Sequence, residues 1–507
     1  MRKPFLVLAA VALVGGACSS GSSASPGSAS RDAAPDQYHR PWSSPAGSAA
    51  PSYDGVTFED PGVNPYVDPV EDRESTFGLD VDTAAYNVGR RFVDDGFLPD
   101  PDSVRVEEYV NAFDGGYEPP EDGTFAIHVD GGPSPFLPED ELLMRVGLKA
   151  VETRERARPD AALTFVVDTS GSMAREDRLG LVKESLAILV RNLRRSDTVA
   201  IVEFGSDARV VIGPTPVGHD EEILHAIARL EPGSSTNAEA GLRLGYELAR
   251  ETLLEEGINR VVLASDGVAN VGLTNAESIL ETIREDAEAG IQLVSVGVGM
   301  GNFNDALLEQ LADHGDGFYA YVNTLDEAER LFEDDLLSTL QTVALDARVQ
   351  VEFELDAVAE YRLVGYENRA IDDDDFRDRD VEAGAIGAGH SVTALYALRL
   401  TRDTGSDDLV ASVRLRWVDP TTRRQVQQVR EARLTEIASS FEATNPHFKL
   451  AAVVSATAEV LRESRWAKGV DLDEVADVAS EIEHELPEDD QVAEFLDMLD
   501  DLADLDR

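Results

Sequence analysis

The 507-residue sequence predicts an α/β fold with a doubly wound, mainly parallel sheet. A flanking antiparallel β-sandwich-like domain and C-terminal helices are expected beside it. Three observations carry this expectation. Apolar runs such as ALTFVVD, NRVVLASDG and IQLVSVGVG alternate with amphipathic segments between 159 and 340, the pattern of buried parallel strands separated by helices. After 342 the apolar period falls to two, as in ARVQVEFEL and LVASVRLRWVD, which marks antiparallel, half-solvated strands. KLAAVVSATAEVLRES and EFLDMLDDLADL then return to helical spacing.

Taken in order, MRKPFLVLAAVALVGGAC has a charged start, a short apolar core and small residues, the layout of an export signal over 1–17. Gly15-Gly16-Ala17-Cys18 resembles the lipobox of bacterial lipoproteins, with Gly15 where a Leu is usual. That resemblance implies a lipid on Cys18, a membrane anchor and an extracytoplasmic location. Cys18 is the single cysteine, so no intramolecular disulfide is available. Residues 18–70, rich in Ser, Pro, Gly and Ala, are expected as a disordered linker.

The N-terminal flanking region, 71–155, holds two helical stretches, DTAAYNVGRRFVDDG and VRVEEYVNAFD. FAIHVDGGPSPF and ELLMRVGLKAV follow as two strands around a Gly/Pro turn. Asp82-Thr83 is expected to cap the first helix. In the α/β domain, 159–340, the strands are ALTFVVD, TVAIVEFGS with its hairpin partner ARVVIGP, NRVVLASDG, IQLVSVGVG and GFYAYV. The helices include RLGLVKESLAILVRNL, EEILHAIARL, AEAGLRLGYELARE, AESILETIREDAEAG, DALLEQLADHG and LDEAERLFEDDLLSTL. The C-terminal region, 343–507, is antiparallel β followed by helices. Its tail places Phe495, Met498, Leu499, Leu502 and Leu505 on one face of a docking or capping helix. The period-two segments on the two sides of the α/β domain are expected to pair into one β-sandwich, with that domain inserted between its halves.

Lys+Arg number 44 against 98 Asp+Glu, a net charge of −54. Such a balance excludes nucleic acid as a partner class, because phosphate binding needs clustered basic residues. Nucleophile elbows and His-based zinc motifs are absent from the sequence, and the eight histidines are scattered.

The informative cluster is DTSGSM. Asp168, Ser170 and Ser172 stand where a buried strand should end, and open parallel sheets bind ligands beyond those ends. Thr236, just before a helix, and Asp266, at the end of another core strand, occupy matching places. Five hard oxygen side chains with two carboxylates suit Mg²⁺ best, then Mn²⁺, with Ca²⁺ less suited. GVGMGN (297–302) lacks a phosphate-loop spacing and is expected as a tight loop near the metal rim. Asp372–Asp375 lacks the spaced ligands of a calcium loop and is expected to be solvated.

D-x-S-x-S with the later Thr and Asp resembles the metal-ion-dependent adhesion site (MIDAS) of von Willebrand factor type A (VWA) domains. The resemblance implies that Ser170 and Ser172 bind a divalent ion directly, and that Thr236, Asp168 and Asp266 bind it directly or through water. It also implies a protein partner whose Asp or Glu carboxylate completes the shell. The segment FGLDVDTAAYNVGRRFVDDGFLPDPDSVRVEEYVNAFD and the region 345–500 resemble the flanks of a bacterial lipoprotein group that carries such a domain. A binding protein without catalytic residues is thus expected. The alternatives are an envelope assembly or scaffold factor acting through its flanks, and a metal-dependent hydrolase, for which no acid–base constellation speaks.

Overall fold

A computed structural model describes residues 58 and 60–506, apart from 80–81, 153–157, 234, 268–275, 300–304, 332–340, 374–375, 377–383, 403 and 488. The export signal, Cys18, most of the expected linker and the last turns of LDEAERLFEDDLLSTL lie outside the described residues.

In chain order the elements begin with β1 (Glu74–Gly78), α1 (Ala84–Asp94), α2 (Val106–Asn111), β2 (Phe125–Gly132) and β3 (Glu141–Ala150). The α/β domain supplies β4 (Ala161–Asp168), α3 (Leu181–Asn192), β5 (Thr198–Phe204), β6 (Ala208–Pro216), α4 (Asp220–Ala228) and α5 (Ala238–Glu251). It continues through β7 (Ile258–Ser265), α6 (Ala276–Glu288), β8 (Ile291–Val298), α7 (Asp305–His314), β9 (Tyr319–Val322) and α8 (Leu325–Glu329). Then come β10 (Thr342–Phe353), β11 (Val358–Val364), β12 (Ile386–Gly387), β13 (Ser391–Leu400), β14 (Leu409–Val418) and β15 (Gln425–Arg433). Helices α9 (Pro446–Leu461), α10 (Leu472–Glu483) and α11 (Asp490–Leu505) end the chain.

The central sheet has the order β6-β5-β4-β7-β8-β9. All of its pairings are parallel except that of β5 with β6. Strand β4 is the switch point, with β5 on one side and β7 on the other, so the carboxyl ends of β4 and β7 lie side by side at one crevice. Strand residues of alternating parity feed two separate cores. Leu163, Phe165 and Val167 pack with Leu186, Leu189 and Ile223 of α3 and α4 on one face. Val166, Val202 and Leu263 pack with Leu242 and Tyr246 of α5 on the other. The second face also takes Val88 and Phe92 of α1, so a helix from the N-terminal flank completes the layer.

The segments before and after this domain do share a sandwich. One sheet runs β1-β10-β14-β15 with β12 on β10, and the other β11-β13-β3-β2. Strand β3 precedes the insertion and β13 follows it, yet they pair from Ser391↔Lys149 to Arg399↔Glu141. The two ends of the insertion meet at one turn: Gly389 N donates to Val151 O (3.0 Å) and Ala388 N to Gln341 O (2.9 Å). The sandwich core includes Phe77, Val146, Val349, Val413 and Tyr396. Phe353 sits at its centre, stacked on Tyr361 with ring centroids 4.1 Å apart and edge-on to Tyr396 at 5.2 Å.

Three expectations need correction. The sheet containing β13 is not half-solvated. Helices α1, α2 and α9 to α11 cover its outer face through Leu143, Val364, Leu395 and Ala397, so β13 is buried on both sides. Residues 63–67, expected as linker, are bound to the sandwich. Asn64 donates to Leu363 O and Gly365 O, Trp466 Nε1 donates to Asn64 O, and Val67 forms a bridge with Tyr361. The Asn64 amide satisfies carbonyls at the edge of β11, which composition does not reveal. Asp82 does not cap α1. It accepts from Tyr319 N of β9 at 2.9 Å and from Arg369 at 3.2 Å, while Glu108 accepts from Ala85 N at 2.7 Å. On the C-terminal helix Phe495, Met498, Leu499 and Leu502 are buried as a docking face requires, whereas Leu505 is exposed.

Charged groups fasten the insertion to its flanks. Arg369 pairs with both Asp82 and Glu309 of α7, and Arg90 of α1 pairs with Glu327 of α8 and Glu494 of α11. Replacing Phe353 by Ala should cost about 3–5 kcal/mol, the range for emptying a buried aromatic site. Urea unfolding of the chain checks this through the loss of the sandwich's aromatic near-ultraviolet signal. A midpoint unchanged from the parent would contradict the central place given to this ring.

Candidate metal centre

Asp168 ends β4 and extends its ladder: Thr169 N donates to Phe204 O of β5 at 2.8 Å, and Thr169 Oγ1 donates to the same oxygen at 3.0 Å. The chain then turns sharply through a 3₁₀ segment, Gly171–Ala174, pinned by the buried side chain of Met173. This turn folds back on the Asp168 carboxylate. Oδ1 accepts from Ser170 N and Oδ2 from Ser265 Oγ of β7, each at 2.7 Å. Ser170 Oγ and Ser172 Oγ are 2.9 Å apart, and Ser172 Oγ donates to Asp266 Oδ1 at 2.9 Å.

Four of the five expected residues, Asp168, Ser170, Ser172 and Asp266, therefore form one hydrogen-bonded cluster. Thr236 lies on the adjoining loop, half-buried, immediately before Asn237, whose side chain caps α5 by accepting from Ala240 N at 3.1 Å. That loop is bound to the same turn, since Gly233 N donates to Thr169 O, and Ser235 Oγ is 2.7 Å from Ser206 Oγ. Asp168, Ser170 and Asp266 are buried, and Ser172 is half-buried, so access to the cluster runs past Ser172.

Two contributors were not singled out from the sequence. Ser265 supplies the second hydroxyl on Asp168. Arg178, buried at the start of the helix-bearing segment, forms an ion pair with Asp266 Oδ2 and donates to Ser172 O at 3.2 Å. A serine directly before a strand-end aspartate is the signal that points to Ser265, whereas only the fold brings Arg178 to Asp266. Gly299, in the GVGMGN segment, packs against the Arg178 stem; its positive φ of 68° gives the tight loop expected there, while residues 300–302 lie outside the described residues.

The donor set fits a hard divalent ion. Its donors are oxygens, and two of them belong to carboxylates. Burial pushes the Asp168 carboxyl up to about 6, against the lowering effect of the Ser265 and Ser170 hydrogen bonds. A carboxylate held dry in this way gains from a nearby cation. Among the described residues no group of three or more His, Cys, Asp or Glu forms a separate metal cluster. In the acidic run 372–375, Asp373 accepts from Thr76 Oγ1 at 2.5 Å, and residues 374–375 lie outside the described residues.

A pH dependence follows for the metal-free protein. The folded state holds the Asp168 proton more tightly than the unfolded chain, whose carboxyl titrates near 3.8. The group costs nothing below pH about 4, and its full cost of about 2–3 kcal/mol is reached above about 6. Asn can keep both contacts, accepting from Ser170 N and donating to Ser265 Oγ. In chelator, Asp168→Asn should therefore be more stable than the parent at pH 7.5 by about 2 kcal/mol and nearly equal to it at pH 4. Denaturation midpoints at the two pH values check this; a less stable variant at pH 7.5 would contradict it.

Comparison with known proteins gives the family of the chain. The family model "von Willebrand factor type A domain" matches residues 162–334. The models "von Willebrand factor" and "Uncharacterized protein YfbK, C-terminal" match 53–144 and 338–505. The chain is 34% identical over 452 residues to the Escherichia coli (strain K12) protein "Uncharacterized protein YfbK", covering 84% of this chain and 77% of that one. Inter-alpha-trypsin inhibitor heavy chain H3 of Pongo abelii is 28% identical over 214 residues, 40% of this chain and 22% of that protein. Among solved structures, a von Willebrand factor type A protein from Catenulispora acidiphila overlaps 74% of this chain and 89% of its own, at 15% identity and a TM-score of 0.44. Domains of type A commonly mediate protein–protein interaction, and they often hold a divalent metal at a MIDAS. With a strand-end oxygen cluster in a doubly wound sheet, and flanks matched on both sides, the chain belongs to the VWA-containing family of the Escherichia coli protein YfbK.

Proposed function

We propose that this protein captures a protein partner through a divalent ion held at the cluster of Asp168, Ser170, Ser172 and Asp266, with Thr236 closing the site. The observation that carries this reading is the convergence of two carboxylates and paired serine hydroxyls at the carboxyl ends of β4 and β7. Mg²⁺ is the ion best matched to such small oxygen donors, with Mn²⁺ as its close substitute. A bound ion supplies positive charge on a chain of net charge −54, where an incoming Asp or Glu carboxylate has to dock. The chain's own part is to hold the hydroxyls and carboxylates in place and to leave the Ser172 side open to the ligand. The role is binding, not catalysis. The protein acts outside the cytoplasm, tethered by a lipid on Cys18.

A scaffold role through the flanks is favoured by one observation. Strand β15 is an edge strand with Val426 and Val429 exposed, a surface able to pair with another chain. Under that reading association survives chelation.

Calorimetric titration of Mg²⁺ and Mn²⁺ into the chelated protein is expected to give saturable one-site binding that Asp168→Ala abolishes. Crosslinked partner from envelope extracts should be lost equally on adding chelator and in Asp168→Ala. Partner retained under both conditions would end the metal-capture reading in favour of the flanks.

A further inference from the structure

We propose that Arg178 is a built-in counter-cation that weakens the grip of this site on its divalent ion. The inference rests on the metal-capture reading and concerns how tightly the ion is held before a partner arrives. One guanidinium nitrogen, Nη1, bridges two walls of the site: it pairs with Asp266 Oδ2 at the end of β7 and donates to Ser172 O in the turn after β4. Ser172 Oγ meanwhile donates to Asp266 Oδ1. Both oxygens of Asp266 are thus engaged by internal donors, one of them a full positive charge.

The placement of Arg178 is specific. Its side chain is buried, and its stem lies in a notch at Gly299, where a Cβ would come 2.7 Å from Nε and 2.8 Å from Cγ. Ser172 after β4, Asp266 just past β7 and Gly299 just past β8 therefore meet around this one side chain. Its charge cancels that of Asp266 and leaves Asp168 as the uncompensated carboxylate of the cluster.

Two consequences follow. A divalent ion entering the cluster meets a fixed positive charge one carboxylate away, in a setting where water screens little. The ion is also held by too little negative charge to be neutralised, so it stays electrophilic and its retention depends on the incoming carboxylate. Metal and partner then strengthen each other's binding, as linkage requires.

The test is Mn²⁺ titration of the full chain, read by the loss of the free-ion paramagnetic resonance signal, without partner. Arg178→Gln and Arg178→Met both remove the charge, and Met keeps an apolar stem beside Gly299, so folding of either one suffices; circular dichroism establishes it. Both are expected to tighten Mn²⁺ binding by about tenfold or more, while Arg178→Lys stays within about threefold of the parent. Unchanged or weaker binding in the charge-removing variants, with a parent that binds Mn²⁺ and an Asp168→Ala control that does not, would overturn this role and leave the metal reading standing. Mn²⁺ held by neither the parent nor the Arg178 variants would overturn both.

Discussion

The ladder between β3 and β13 is the constraint on which the rest depends. It joins a strand made before the α/β domain to one made after it, over a continuous register from Lys149 to Glu141. With β3 and β13 paired, the sheet has one face toward the sandwich core and another toward α9, α10 and α11. Burial on both faces requires an almost unbroken apolar strand, and SVTALYALRL meets that requirement. The ladder also brings Val151 and Gln341 to one turn, so the inserted domain leaves and re-enters at a single place.

The oxygen cluster at the ends of β4 and β7 draws on that frame indirectly. Helix α1 belongs to the flank in sequence but to the α/β domain in packing, since Val88 and Phe92 share a core with Val202 and Leu263. Ion pairs from Arg369 and Arg90 then hold α7 and α8. The β9 side of the sheet is fastened in this way, while the oxygen cluster stands at the carboxyl ends of β4 and β7 in the middle of the same sheet. Rigid support on one side and an access path past Ser172 on the other are what a site needs if it is to meet a large partner without losing its internal geometry.

Much of this was legible in the sequence, for physical reasons that differ by element. The oxygen set could be read because Asp168 and Asp266 stand at the ends of buried runs, Ser170 and Ser172 follow the first of them, Thr236 precedes a helix, and strand ends in parallel sheets share one crevice. The shared sandwich could be read because period-two segments on both sides of the insertion needed partners. Arg178 could not be read as part of the site: a basic residue at the start of an amphipathic segment looks like any solvated one, and only the fold brings it to Asp266. Nor could residues 63–67, where a Pro-bearing stretch takes its order from hydrogen bonds of Asn64 and Val67 to β11 and its end and of Trp466 to Asn64. Asp82 looked like a helix cap because its neighbours set that pattern, but its real partners, Tyr319 and Arg369, are more than 200 residues away.

The insertion has a consequence for how the chain is made. Lys149 and Gly389 touch although they are 240 residues apart. At about 5–20 residues per second, a ribosome takes on the order of 10–50 s to add that much chain. The α/β domain, contiguous in sequence, can fold during that interval. The β2–β3 hairpin cannot, because the partner that covers its open edge has not yet been synthesised. For that time β3, with Met144, Val146 and Leu148 uncovered, is the sticky intermediate of the nascent protein. Chaperone demand should therefore track the length of the insertion and not the stability of the finished molecule.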